Sequence, residues 1–196
     1  MTREAGRPLR ADAQRNRDKI LAAAVRVFSE EGLDAHFERI AREAGVGTGT
    51  IYRNFPTREA LIEAAYRNEV ARLCEAAPGL LATMPPAEAL RVWTRRFIDY
   101  ATAKYGMADA LRAVVASGSN PYADSREMIQ GALDSLMDAG VAAGAIRSDI
   151  RPTDMFAALA GIALTSAKPE QREQAERLLD LTLDGLKSAP PQLPGS

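Results

Sequence analysis

Cysteine and histidine are nearly absent from this 196-residue chain. The one cysteine, Cys74, excludes an intramolecular disulfide framework and suits a reducing compartment. The one histidine, His36, cannot build a zinc site alone, Cys74 has no evident partner, and Ser117-Gly118-Ser119 makes no nucleophile elbow. No cofactor, metal or catalytic residue is expected, and the chain does not read as an enzyme. No run of about 18 apolar residues is present to span a membrane, and the polar, arginine-bearing N-terminus lacks the apolar core of a secretory signal. A cytoplasmic protein without membrane partners is the expectation. Also missing is the strict apolar–polar alternation of a strand.

What is present is helical periodicity and an uneven charge distribution. The net charge is −1, but Met1 to Ser29 holds Arg3, Arg7, Arg10, Arg15, Arg17, Lys19 and Arg26 against Glu4, Asp12 and Asp18. A basic end on an otherwise acidic chain fits either a polyanion partner met by one end or a solvated, arginine-rich tail. Apolar residues recur at three- and four-residue steps, predicting an all-α fold of about nine helices, a three-helix unit followed by a larger helical domain. The first helix is expected over 12–31, with Ile20, Leu21, Ala24, Val27 and Phe28 on one stripe and Gly32 as its stop. A second short helix carries Phe37, Ile40, Ala41 and Ala44, and a third carries Ile51 and Tyr52. Thr57 is placed to cap a fourth. Pro78-Gly79 and Pro85-Pro86 predict a break. Beyond it, one helix bears Leu90, Trp93, Phe97, Tyr100 and Ala101, and a short one covers about 107–116. A longer helix to about 143 turns Met128, Ile129, Leu133, Leu136 and Met137 inward. Two more open at Pro152 and Pro169.

The stretch Phe37 to Arg58 reads FERIAREAGVGTGTIYRNFPTR. Two short helices about a glycine turn make a helix-turn-helix, whose second helix can enter a major groove. Ala41 is small where helices must approach, Gly45 can adopt positive φ, and Val46 and Ile51 can pin the third helix to the first. Thr48, Thr50, Arg53 and Asn54 are donors suited to phosphates and base edges. A phosphate-cradling loop is excluded, because Thr50 stands at the third glycine position and a helix, not a strand, precedes it. A helical hairpin that binds nothing is the other alternative. Exposed donors beside a basic first helix favour DNA.

From Ile40 to Leu61 the chain reads IAREAGVGTGTIYRNFPTREAL. This resembles the TetR-family DNA-binding domain, with its pattern I-A-x-x-A-G-V-S-x-G-T-L-Y-x-H-F-x-S-K-E-A-L. The resemblance implies that Thr48 and Arg53 read bases and that Thr50, Tyr52 and Arg58 hold phosphates, Arg58 replacing the family lysine. Gly47 stands where serine usually caps the third helix, and Asn54 replaces histidine. His36 stands where serine or threonine caps the second helix and is expected as a cap or groove-edge contact. The resemblance also implies a dimeric, ligand-responsive repressor on a pseudo-palindromic double-stranded operator, with a variable effector-binding domain. Trp93 to Leu111 is similar to the start of that domain in one actinobacterial-type branch.

The expected organisation is a flexible basic arm over 1–11, helix-turn-helix over 12–56, effector-binding and dimerisation domain over 57–187 with a connecting helix over 57–77, and a disordered tail over 188–196. Arg3, Arg7 and Arg10 make either an arm into the minor groove or an unused tail. Trp93, Phe97, Met107, Leu111, Met128, Met137 and Phe156 line a small-molecule pocket or form plain core, with Arg96 and Tyr100 as polar anchors. Ala157, Ala160, Gly161 and Leu164 on the eighth helix, and Leu178, Leu179, Thr182 and Leu186 on the ninth, make either a dimer seam or an intrachain contact.

Overall fold

A computed structural model describes residues 6–165 and 169–187. Among them lie nine α-helices and no strand: α1 (Gly6–Glu31), α2 (Phe37–Ala44), α3 (Thr48–Asn54), α4 (Arg58–Thr83), α5 (Pro86–Gly106), α6 (Ala108–Ala116), α7 (Ser125–Ala142), α8 (Pro152–Thr165) and α9 (Arg172–Gly185). Short 3-10 turns at Gly32–Asp34 and Pro169–Gln171 precede α2 and α9. The all-α expectation and the helix count hold.

Residues form two compact units. The first unit joins the described part of Met1–Asn68 to Ala103–Tyr122, and the second joins Glu69–Thr102 to Ala123–Ser196 as far as it is described. A division at residue 57 was expected. Instead the start of α4, the end of α5 and α6 cluster with the helix-turn-helix. Their packing explains this: α6 lies on the 3-10 turn after α1, and Gly106 sits so close to Ser29 that a Cβ there would come within 2.8 Å of the Ser29 Cβ.

In the first unit, Ile20, Leu21, Ala24, Val27 and Phe28 are buried as their spacing predicts, and Gly32 turns the chain at φ 56°. Helix α1 begins six residues before Asp12, so the predicted arm is helical from Gly6 onward. Residues 1–5 and the expected tail at 188–196 lie outside the described residues. Thr57 caps α4 as predicted, its Oγ1 accepting the Ala60 N–H at 3.1 Å.

The predicted break at Pro78-Gly79 is corrected, because α4 continues through it to Thr83. Proline forfeits its own N–H, leaving the Cys74 carbonyl without that helical donor, and its ring crowds the same carbonyl. The turns around it bury Leu73, Ala77 and Leu80, and the Thr83 hydroxyl donates to the Gly79 carbonyl at 3.0 Å. Burial outweighs the lost bond.

In the second unit, α7 packs on α8 and α8 on α9. Helix α7 buries Ser125, Ile129, Leu133, Leu136, Met137 and Gly140. Gly140 permits a close approach, since a Cβ there would meet Ile146 Cδ1 at 2.3 Å, and Gly144 ends the segment at φ 68°. Met128 is a correction: it is 45% exposed. It precedes Ile129 by one residue, about 100° around the helix, so it falls off the buried stripe. On α9 the buried set is Ala175, Leu179 and Leu183, with Leu186 just beyond, and on α8 it is Met155, Leu159, Ile162 and Ala163. Leu179 and Leu186 therefore pack within their own chain, a correction to their place in a dimer seam.

Candidate nucleic-acid interface

Helix α2 turns Phe37, Ile40, Ala41 and Ala44 into the core and ends at Gly45, whose φ of 67° is the left-handed value expected of it. The Val46 N–H then donates to the Ala41 carbonyl at 3.0 Å, closing the turn. Extended Gly47 takes the N-cap position of α3, its carbonyl accepting the Thr50 N–H at 2.8 Å. Only Ile51 of α3 is buried, which pins the helix and leaves the rest of its surface open. Tyr52, Arg53, Asn54 and Gly49 are exposed, and Thr48 and Thr50 half-exposed.

Contacts outside α3 hold its orientation. The Tyr52 ring lies 5.0 Å from that of Phe37 on α2. Buried Phe55, the C-cap residue, has the Arg17 guanidinium of α1 4.7 Å above its ring. Arg39 pairs with Glu30 and Glu31 at 2.9 Å each, and Arg26 with Glu43, so these acids are matched by arginines between α1 and α2. From Gly45 to Arg58 the sequence contains Arg53 and Arg58 and no acid. That surface is cationic and rich in donors.

The predicted DNA-contacting residues come together here. Arg53 donates from Nε to the Gly49 carbonyl at 3.2 Å and from Nη2 to Thr50 Oγ1 at 3.1 Å, and Asn54 Nδ2 donates to the Thr50 carbonyl at 2.8 Å. Arg58 Nη1 donates to the Leu33 carbonyl at 2.6 Å, which ties the start of α4 to the turn after α1. His36 needs correction as a cap. Its backbone occupies the N-cap position of α2 and its carbonyl accepts the Arg39 N–H, but its imidazole makes no capping bond. Two features escaped the sequence reading. Arg17 over Phe55 pairs residues 38 apart with no local signal. Gly49 has open space around it, although its i+3 and i+4 spacing to Tyr52 and Arg53 was visible.

The proposed effector residues divide. Trp93, Phe97, Tyr100 and Met137 are buried, and the Phe97 ring lies 6.0 Å from each of Trp93, Tyr100 and Phe156. Trp93 Nε1 donates to the Leu73 carbonyl at 2.9 Å. Met107 and Leu111 are also buried but belong to the first unit, so the enclosure drawn from sequence is not assembled in one compact body. Arg96 is exposed and shares a groove of about 380 Å³ with Tyr100, Glu69, Arg72, Leu73 and Asp99. On α8, Ala157, Gly161 and Leu164 are exposed and Ala160 is half-exposed; on α9, Leu178 and Thr182 are half-exposed. Burial pushes the Cys74 thiol up, and the Glu75 charge adds to this, so it is no ready thiolate.

Two short helices about a left-handed glycine, with a cationic, donor-rich second helix, define a helix-turn-helix DNA-binding protein. The model of the bacterial regulatory proteins of the TetR family matches residues 20–65, and that of the C-terminal domain of SbtR-like transcriptional regulators matches residues 85–188. The chain belongs to the TetR family, whose members are non-enzymatic DNA-binding transcription factors. A TetR transcriptional regulator of Streptomyces coelicolor is 82% identical, with TM-score 0.87 over 89% of this chain and 99% of that one. A TetR regulatory protein of Mycobacterium vanbaalenii is 35% identical, with TM-score 0.75 over 92% and 100%. HTH-type transcriptional regulators of Staphylococcus aureus are 43% identical over 54 residues, 27% of this chain and 29% of theirs. That match covers less than a third of their length.

Proposed function

We propose that the chain is a ligand-responsive repressor that binds a pseudo-palindromic operator as a homodimer and is released by a small-molecule effector. The exposed face of α3, cationic and without an acid from Gly45 to Arg58, is the observation that carries the DNA half of this reading. Thr48 and Arg53 read base edges, while Thr50, Tyr52 and Arg58 hold phosphates, with Gly47, Asn54 and His36 at the margin of the contact. Dimerisation is supported by Leu164, 66% exposed on α8 at helical spacing from the small Ala157, Ala160 and Gly161, and by Leu181, 71% exposed on α9. Apolar side chains grouped on an exposed helix face mark contact sites.

The dimer sets its two α3 helices about 34–36 Å apart, in successive major grooves. Helix α4 contributes residues to both compact units, so an effector acts on DNA affinity through it. Its leverage is its differential affinity for the two states: about 5.5 kcal/mol moves the population from 99:1 to 1:99. The protein works in the cytoplasm; among the described residues no helix is long and apolar enough to cross a membrane.

Mobility shifts on the DNA flanking its gene, across a salt series, test the proposal. A specific shift with a slope of about −0.9 per neutralised phosphate is expected. Arg58→Ala should weaken all duplexes and flatten the slope by about one phosphate, whereas Thr48→Ala should lose about 1–3 kcal/mol of discrimination at one base pair. An operator preference untouched by changes at both Thr48 and Arg53 would overturn the base-reading assignment.

A further inference from the structure

Between the second half of α4 and α5, wholly within the second unit, lies a half-open groove of about 380 Å³. Its walls are Glu69, Arg72 and Leu73 on α4 and Arg96, Asp99 and Tyr100 on α5. That volume falls at the small end of ligand sites, which run from about 300 to 1,000 Å³.

The charges in the groove are not all paired. Glu69 accepts from Arg72 Nη1 at 3.4 Å. Asp99 accepts from Arg172, and this hydrogen bond pushes the Arg172 guanidinium still higher, keeping it charged. Each carboxylate thus has an arginine partner, Arg172 being shared with Glu176. The lining holds two carboxylates and two guanidiniums, but Arg96 has no hydrogen bond or ion pair among the described residues, so its guanidinium is the groove charge left open to a ligand. Leu73 and the 94%-buried Tyr100 ring add apolar wall beside it.

We propose that this groove binds a small aliphatic carboxylate, its headgroup on the Arg96 guanidinium and its short chain against Leu73 and Tyr100. A guanidinium and a carboxylate match in a two-bond fork, and a partly desolvated pairing of this kind is stronger than a neutral hydrogen bond. A cationic ligand would have to displace Arg72 or Arg172 from its carboxylate while facing the Arg96 charge. A neutral ligand would leave Arg96 as it is. The inference deepens the effector reading and rests on it only for the consequence at DNA, not for binding.

The chain carries its own reporter. Trp93 is its one tryptophan, is fully buried, and donates to the carbonyl of Leu73, a groove residue. The test titrates the full-length protein with hexanoate, 1-hexanol and hexylamine, following Trp93 fluorescence and, independently, the heat of binding. Saturable binding of hexanoate is expected, at least about tenfold tighter than that of the alcohol or the amine. Arg96→Gln should remove that preference and leave the thermal midpoint unchanged, because the side chain is exposed. Arg126→Gln, at another exposed arginine of the same unit, should retain it. No heat or fluorescence change up to millimolar hexanoate, equal affinity for the three probes, or an Arg96→Gln protein indistinguishable from the wild type would each overturn the proposal. A mobility shift with hexanoate present separates the two readings. Binding that leaves operator affinity untouched keeps the site and removes its effector role.

Discussion

Gly49 is the second residue of α3, on the exposed face it shares with Tyr52 and Arg53. Its φ is not positive, and a Cβ built on it meets nothing within 4 Å. The protein's own packing therefore does not require glycine there, and a glycine inside a helix costs about 1 kcal/mol relative to alanine. The proposed function supplies a reason: on that reading DNA docks against the bare backbone more closely than a methyl group allows. Gly49→Ala should thus move two measurements in opposite directions. Stability should rise by about 0.5–1 kcal/mol, or roughly 1–4 °C in thermal midpoint for a chain of this size. Operator affinity should fall, because a methyl forced into a packed contact costs about 1–3 kcal/mol, or about fivefold to a hundredfold. Circular dichroism melting and mobility shifts on one preparation read both. Unchanged or tighter DNA binding would refute the idea that this face of α3 meets DNA closely. A lowered midpoint would refute the open space around Gly49.

Two further outcomes test the scaffold. Leu181→Asp, at the 71%-exposed position on α9, should weaken self-association at least about a hundredfold by placing a charge in an apolar seam; Met128→Asp, also exposed, should stay dimeric, and sedimentation equilibrium that finds both variants alike would discard the α8–α9 seam. Pro78→Ala should restore the N–H that the Cys74 carbonyl lacks and raise stability by about 1–3 kcal/mol, since Pro78 is exposed and no core volume changes; a lower melting midpoint would mean that the proline ring is itself needed for the packing of α4.

The helix-turn-helix was legible because its signals are local. Gly45 needs positive φ whatever surrounds it, and Ile51 falls on the one buried face of α3, so a string of some twenty residues specifies the turn, the cap and the exposed donors. The helix count was legible for a similar reason, since a 3.6-residue apolar period survives without knowledge of the partner. Helix ends were less so. Pro78-Gly79 has the local chemistry of a break, yet burial of Leu73, Ala77 and Leu80 carries α4 through it, an energy that exists only once other helices are in place. The same limit applies to the effector and seam residues. Trp93, Phe97, Met107 and Leu111 all read as apolar stripe, but which compact unit each joins depends on contacts between elements distant in sequence. Leu179 and Leu164 likewise both read as seam, and tertiary packing alone turned the first into the chain's own core and left the second in water. Periodicity states that a side chain seeks cover. Only the folded arrangement of helices decides whether its own chain provides that cover.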